Sequence, residues 1–152
     1  MRYLIPTLLA LCSCSLAHAG QRVSVHDGDT LRVDGQRWRL WGVDAPELDQ
    51  TCGRQPCGEQ ARDALSDLVA GHVVVCEARG RSYDRLVGVC SAGGIDLGAA
   101  MVRKGWALDY RRFSGGAYNV LESAARTETR GIWSSTFTAP WLWRIQQGRG
   151  RR

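Results

Sequence analysis

Apolar and polar positions alternate where Val23 and Val25 stand between Arg22, Ser24 and His26, a period of two that predicts a half-buried strand over residues 22–26. Two further short strands are predicted over 31–33 and 37–41, joined by Asp34-Gly35, a pair that favours a tight hairpin turn. The period then changes. Ala61, Leu65 and Leu68 recur at helical spacing, which predicts a helix over 59–69 that Gly71 ends. Residues 73–76 and 85–90 read as strands, linked by an Arg- and Gly-rich stretch that holds Tyr83, with a turn over 91–94. Asp96 can cap a short helix reaching Lys104. Gly105-Trp106-Ala107-Leu108 reads as extended, and 113–116 as a loop. Leu121, Ala124, Ala125 and Glu128 share one face of a last long helix over 117–130, closed by Gly131. Trp133, Trp141 and Trp143 are expected to pack the C-terminal segment back on the domain.

Three strands, a helix, two strands and then helices describe an α+β domain, mainly β: a small five-stranded Greek-key barrel with about three helices against it. Residues 1–19 carry Arg2, an apolar run from Leu4 to Leu11 and Ala17-His18-Ala19, the pattern of a secretory signal with its cleavage site. The run falls short of the ~20 residues that span a bilayer. A buried N-terminal helix, or a lipoprotein signal using Cys12 or Cys14, are the alternatives. Residues 20–143 are long enough for one domain with a core.

Charge changes this picture little. The chain's net charge is +5, and Arg2, Arg144, Arg149, Arg151 and Arg152 account for it, so residues 20–143 are balanced. Residues 144–152 then read as a basic, flexible tail, either solvated without a partner or lending diffuse attraction to phosphates. On that reading, ending the chain after Trp143 leaves turnover nearly intact. Beyond the signal stand Cys52, Cys57, Cys76 and Cys90. An even count in an exported chain implies two disulfides, and four cysteines allow three pairings. Cys52–Cys57, closing a loop, with Cys76–Cys90, joining neighbouring strands, is favoured. A zinc site is the weaker reading, since Cys76 and Cys90 lack knuckle spacing.

Candidate chemistry gathers between His26 and Glu47. A hairpin brings its two ends side by side, so Asp29 before it and Asp44 after it should converge, with Glu47 near and Arg39 on the intervening strand. Two carboxylates facing one point suit a hard cation; a third carboxylate and an arginine beside them suit phosphate chemistry. The stretch is not an EF-hand, because Arg32 and Trp38 occupy the positions where that loop needs Gly and Glu. His26 and His72 receive no metal or acid–base role.

Asp27-Gly28-Asp29-Thr30, Arg39-Leu40-Trp41-Gly42-Val43-Asp44-Ala45-Pro46-Glu47, Tyr83-Asp84-Arg85, Gly105-Trp106-Ala107 and Gly131-Ile132-Trp133 resemble, in order and spacing, the pattern of the staphylococcal nuclease (thermonuclease) family. The resemblance covers almost all of residues 23–134. It implies an OB-fold barrel with helices, Ca2+ dependence and phosphodiester hydrolysis of DNA and RNA. By position it implies that Asp29, Asp44 and the backbone carbonyl of Ala45 bind the metal, and that Glu47 positions or deprotonates the attacking water. It implies further that Arg39 and Arg85 bind phosphate and that Tyr83 meets the substrate phosphate. Ala45 stands where the family often has threonine, and Asp84 where it commonly has glycine, so Asp84 could steer Arg85 or weaken its pull. The expectation is therefore a monomeric exported nuclease, periplasmic or extracellular, with no stable membrane association. A noncatalytic OB-type module that binds nucleic acid or protein is the alternative.

Overall fold

The structure, a computed structural model, describes residues 20–149. The expected signal segment and Arg151 and Arg152 lie outside the described residues.

Strands β1 (Val23–Asp27), β2 (Thr30–Val33) and β3 (Gln36–Leu40) form an antiparallel meander, with Thr30 opposite Arg39 and Val33 opposite Gln36. Asp34 and Gly35 turn the β2–β3 hairpin with φ of 48° and 88°, a conformation that Asp and Gly tolerate and β-branched residues do not. The chain then leaves this sheet. A two-residue strand β4 (Val43–Asp44) runs toward helix α1 (Cys57–Val69), whose Ala61 and Leu65 are buried against Leu31, Leu40 and Val43.

Strands β5 (Val74–Ser82) and β6 (Arg85–Ala92) make the longest hairpin, and β6 lies parallel to β3, with Arg39 opposite Val87. Strand β7 (Ile95–Asp96) adds to β6, and Asp96 caps helix α2 (Leu97–Arg103) by accepting from the Ala99 N–H at 3.1 Å. Strand β8 (Leu108–Asp109) pairs antiparallel with β4. Helices α3 (Arg111–Ser114), α4 (Asn119–Thr127) and α5 (Pro140–Gln146), with a 3-10 turn over Gly131–Ser134, complete the described chain. A second apolar cluster joins Cys52, Cys57, Leu108 and Ile132 to Trp106, Trp133, Phe137 and Trp141. Two of the three C-terminal tryptophans thus fold back on the domain as expected.

Several expectations change. The sheet order is β1-β2-β3-β6-β5, an open path rather than a closed barrel. Between its ends, the Gln21 side-chain amide donates to the Val74 carbonyl at 2.8 Å and accepts from the Val74 N–H at 2.7 Å, so one side chain stands in for a missing strand pair. Among the described residues there are five α-helices rather than about three. The strand expected over 73–76 runs on to Ser82, because a bulge between Ala78 and Gly80 absorbs the Arg- and Gly-rich stretch into the ladder. The long helix expected over 117–130 stops at Thr127. Thr129 takes a φ of 51° and the Arg130 N–H closes on the Ala125 carbonyl at 2.9 Å, a left-handed cap that aims the Ile132 N–H at the Gly105 carbonyl, 3.0 Å away. The basic segment from Arg144 is not a loose tail at its start: Arg144 belongs to α5, which Pro140 opens from its first position.

Both disulfides have the favoured pairing. Cys76 and Cys90 are directly opposite on β5 and β6, and Cys52 with Cys57 closes the loop before α1. Replacing Cys76 and Cys90 together by serine should lower unfolding free energy by roughly 2–4 kcal/mol. Urea unfolding of the oxidised protein and the variant measures this, and coincident curves would show that the bridge adds nothing to the β5–β6 ladder.

Candidate active site

Three backbone segments are brought together by close packing. A Cβ on Gly28 would lie 2.7 Å from the Cβ atoms of both Ala45 and Ala61, so only glycine lets the β1–β2 turn press against β4 and α1. Beside it, the Leu40 N–H donates to the Asp29 carbonyl at 2.8 Å, tying the start of β2 to the end of β3. Asp29, in the β1–β2 turn, and Asp44, at the end of β4, are consequently buried, 3% and 0% exposed.

Their charges meet on Arg39. Its Nη2 lies 2.9 Å from Asp29 Oδ2 and 2.6 Å from Asp44 Oδ1. Asp29 Oδ2 also accepts from the Ala45 N–H at 3.2 Å, and Asp29 Oδ1 from the Thr30 hydroxyl at 2.9 Å. Arg85, at the start of β6, reaches the same Thr30 Oγ1 at 3.4 Å, which places it on the edge of the cluster. Glu47, half-buried on the loop after β4, faces Asp44 across a shared guanidinium described below. Its loop is pinned by Gln50, itself 1% exposed, whose Oε1 accepts from the Glu47 N–H at 3.2 Å while Nε2 donates to the Thr138 carbonyl at 2.7 Å.

Asp29, Asp44, Ala45, Glu47, Arg39 and Arg85 thus occupy one neighbourhood. Tyr83 lies at the β5–β6 turn, 76% exposed, with a φ of 57°. Asp84 pairs with Arg37 Nη1 at 2.6 Å, so its carboxylate is directed to that arginine rather than onto Arg85.

Four further residues belong to the site. Arg144 of α5 donates to both Asp44 oxygens at 2.9 Å and to Glu47 Oε1 at 2.7 Å. Thr30 and Gln50 hold the groups described above, and Asp27 accepts from the Asp29 N–H at 3.1 Å. Burial, and after it the charge of Asp29, pushes the Asp27 carboxyl up to about 7. Burial also pushes Asp44 up, opposed by the hydrogen bonds from Arg144 and the charge of Arg39. For Arg144, burial disfavours the charge, but its contacts with Asp44 and Glu47 outweigh it and raise the pKa above the ordinary arginine value. Arg39 behaves alike: burial opposes its charge, and Asp29 and Asp44 prevail.

The profile of the family described as staphylococcal nuclease homologues matches residues 37–135. That span is most of the chain and runs from β3 to the end of the 3-10 turn. The chain belongs to the staphylococcal nuclease family. Its sheet is accordingly that family's OB-type architecture, here left open between β1 and β5. An uncharacterized endonuclease of Escherichia coli O157:H7 is 36% identical over 156 aligned positions, covering 95% of this chain and 98% of the relative. Succinoglycan biosynthesis protein ExoI of Rhizobium meliloti is 36% identical over 120 positions, 74% of this chain and 63% of that protein. The probable staphylococcal-like nuclease CAN2 of Oryza sativa subsp. japonica is 28% identical over 141 positions, 91% of this chain and 37% of that protein.

Arg144 and Gln50 carried no local signal, since their partners lie 97 and 100 residues away for Arg144 and 88 away for the Gln50–Thr138 contact. Asp27 was visible beside Asp29, but its half-buried setting was not. Gln50→Leu leaves the Glu47 N–H and the Thr138 carbonyl without their partner, and should cost about 1–3 kcal/mol of stability. Urea unfolding checks this; unchanged stability would mean that the amide does not hold the Glu47 loop to the C-terminal segment.

Proposed function

We propose that this chain is a Ca2+-dependent nuclease that hydrolyses the phosphodiester bonds of DNA and RNA. The observation that carries the reading is the meeting of buried Asp29 and Asp44 on a single guanidinium nitrogen, with Glu47 alongside.

The donor chemistry fits a hard divalent cation. Among the described residues no three Asp, Glu, His or Cys side chains are grouped to hold a metal by themselves. A bound ion would therefore rest on Asp29, Asp44, the Ala45 carbonyl and water, an all-oxygen and incomplete protein shell of the kind Ca2+ accepts. Asp29 and Asp44 turn carboxylate oxygens to one point, where a cation would offset their mutual repulsion. When bound, Ca2+ supplies positive charge beside the phosphoryl oxygens.

The remaining chemistry belongs to side chains. Glu47 accepts a proton from a water whose oxygen attacks phosphorus, and the phosphorus bond to the leaving oxygen breaks. Negative charge grows on the phosphoryl oxygens as this happens. Arg39, whose contacts with Asp29 and Asp44 run through Nη2, turns its other N–H groups to that charge, and Arg85 offers a second planar fork. Tyr83, exposed on the β5–β6 turn, meets a substrate phosphate.

Two disulfides support export to an oxidising compartment, periplasmic or extracellular. Among the described residues no helix is long and apolar enough to cross a membrane.

Single-stranded DNA and RNA oligonucleotides should be cut by the oxidised protein with Ca2+, and cutting should stop on chelation. Glu47→Gln should fold, bind Ca2+ and lose kcat by about 10²–10⁴-fold. Asp29→Asn should weaken Ca2+ binding in calorimetry, since it removes an anionic oxygen from a short ligand set. Binding of oligonucleotide without cleavage by the wild-type protein, at any Ca2+ concentration, would replace this reading with that of a noncatalytic binding module.

A further inference from the structure

Arg144 is anchored from several sides. Trp141, one turn earlier on α5, stacks on Tyr110 with ring centroids 5.4 Å apart and planes 3° from parallel. Tyr110 in turn donates its N–H to the Gly42 carbonyl at 2.9 Å, beside β4. Gln50 ties Thr138 to the Glu47 loop, and Arg149 forks onto Asp49 at 3.0 and 2.8 Å. These contacts hold α5 against the loop that carries Asp44 and Glu47. Arg144 is the residue they deliver, and its three hydrogen bonds go to two acids given different tasks above: both oxygens of Asp44, and one of Glu47.

We infer that Arg144 is a positioning residue of the active site: it fixes the Glu47 carboxylate for its work on water and, by occupying both oxygens of Asp44, sets the affinity of the site for its divalent cation. The inference rests on the nuclease reading above. Its physical basis is competition and geometry. A guanidinium and Ca2+ both seek the Asp44 oxygens, and their like charges oppose each other across a short distance. Glu47 is otherwise tethered through its backbone, so without the fork its carboxylate regains rotational freedom. A misplacement of about 1 Å can cost on the order of 10²-fold in rate.

The two effects have opposite signs, which separates them from a purely architectural role. In Arg144→Gln the Asp44 oxygens are released, and Ca2+ affinity, measured by calorimetry without nucleic acid, should tighten by about tenfold, equivalent to about 1.4 kcal/mol. On a short oligonucleotide at saturating Ca2+, kcat should fall by about 10- to 100-fold. Arg144→Lys keeps the charge and loses the fork, so Ca2+ affinity should stay near wild type while kcat still falls. In a Glu47→Gln background, Arg144→Gln should cost little further kcat, because the group it positions has already lost its function. Weaker Ca2+ binding in Arg144→Gln, or a kcat loss that adds in full to that of Glu47→Gln, would overturn the inference. Should Arg144→Gln not fold, the lysine variant decides, and wild-type kcat in it overturns the positioning role. A wild-type protein that neither binds Ca2+ nor cleaves defeats the nuclease reading itself, and this inference with it.

Discussion

Asp29 and Asp44 are almost wholly removed from water, and a buried carboxylate without compensation costs several kcal/mol. Arg39 and Arg144 supply the compensation, and each is positioned by a different part of the chain. Removing either guanidinium leaves an uncompensated buried charge, whereas the complete set is satisfied hydrogen bond by hydrogen bond. Much of the local architecture serves this balance. Gly28 admits the Asp29 turn against β4, the β2–β3 register sets Arg39 beside Thr30, and β4 leaves the main sheet to pair with β8.

The C-terminal segment is the less obvious consequence. A site built only from the β-sheet would need residues up to β8. Here α5 closes over the loop between β4 and α1, and the buried Gln50 amide joins the two. The Cys52–Cys57 disulfide lies in that same loop, packed with Leu108, Ile132 and the tryptophans of the second apolar cluster. Oxidation, apolar packing and the acid–arginine contacts therefore stabilise one segment, the segment that presents Glu47. This couples the oxidation state of Cys52 and Cys57 to the order of that segment.

Local chemistry made much of this legible in the sequence. Asp34-Gly35 specified its turn because few pairs tolerate two successive positive φ values, and Asp96 specified a cap because its oxygen reaches the Ala99 N–H. The helix of Ala61 and Leu65 followed from spacing, and Asp29, Asp44 and Arg39 followed from a hairpin bringing its ends together. What could not be read depends on distant partners. The bulge that carries β5 to Ser82 needs β6 opposite it, and β7 exists only as an addition to β6. Thr129 gave no hint of a left-handed cap, which arises because the chain must meet Gly105. Arg144 looked like one charge among the arginines of a tail; its place beside Asp44 and Glu47 comes from Trp141, Pro140 and Gln50, which turn a basic segment into a helix docked on that loop.

On the proposed function, this acid–arginine cluster takes up a divalent cation. Thermal unfolding of the oxidised wild-type protein in rising Ca2+, without nucleic acid, addresses it directly. A ligand that binds only the folded state stabilises by RT ln(1 + [L]/Kd), so the midpoint should climb steadily once Ca2+ passes its Kd, with about 2.7 kcal/mol gained at one hundred times Kd. Asp29→Asn should flatten that rise. A midpoint indifferent to millimolar Ca2+ would contradict the claim and leave the cluster as a set of ion pairs closed by its own arginines.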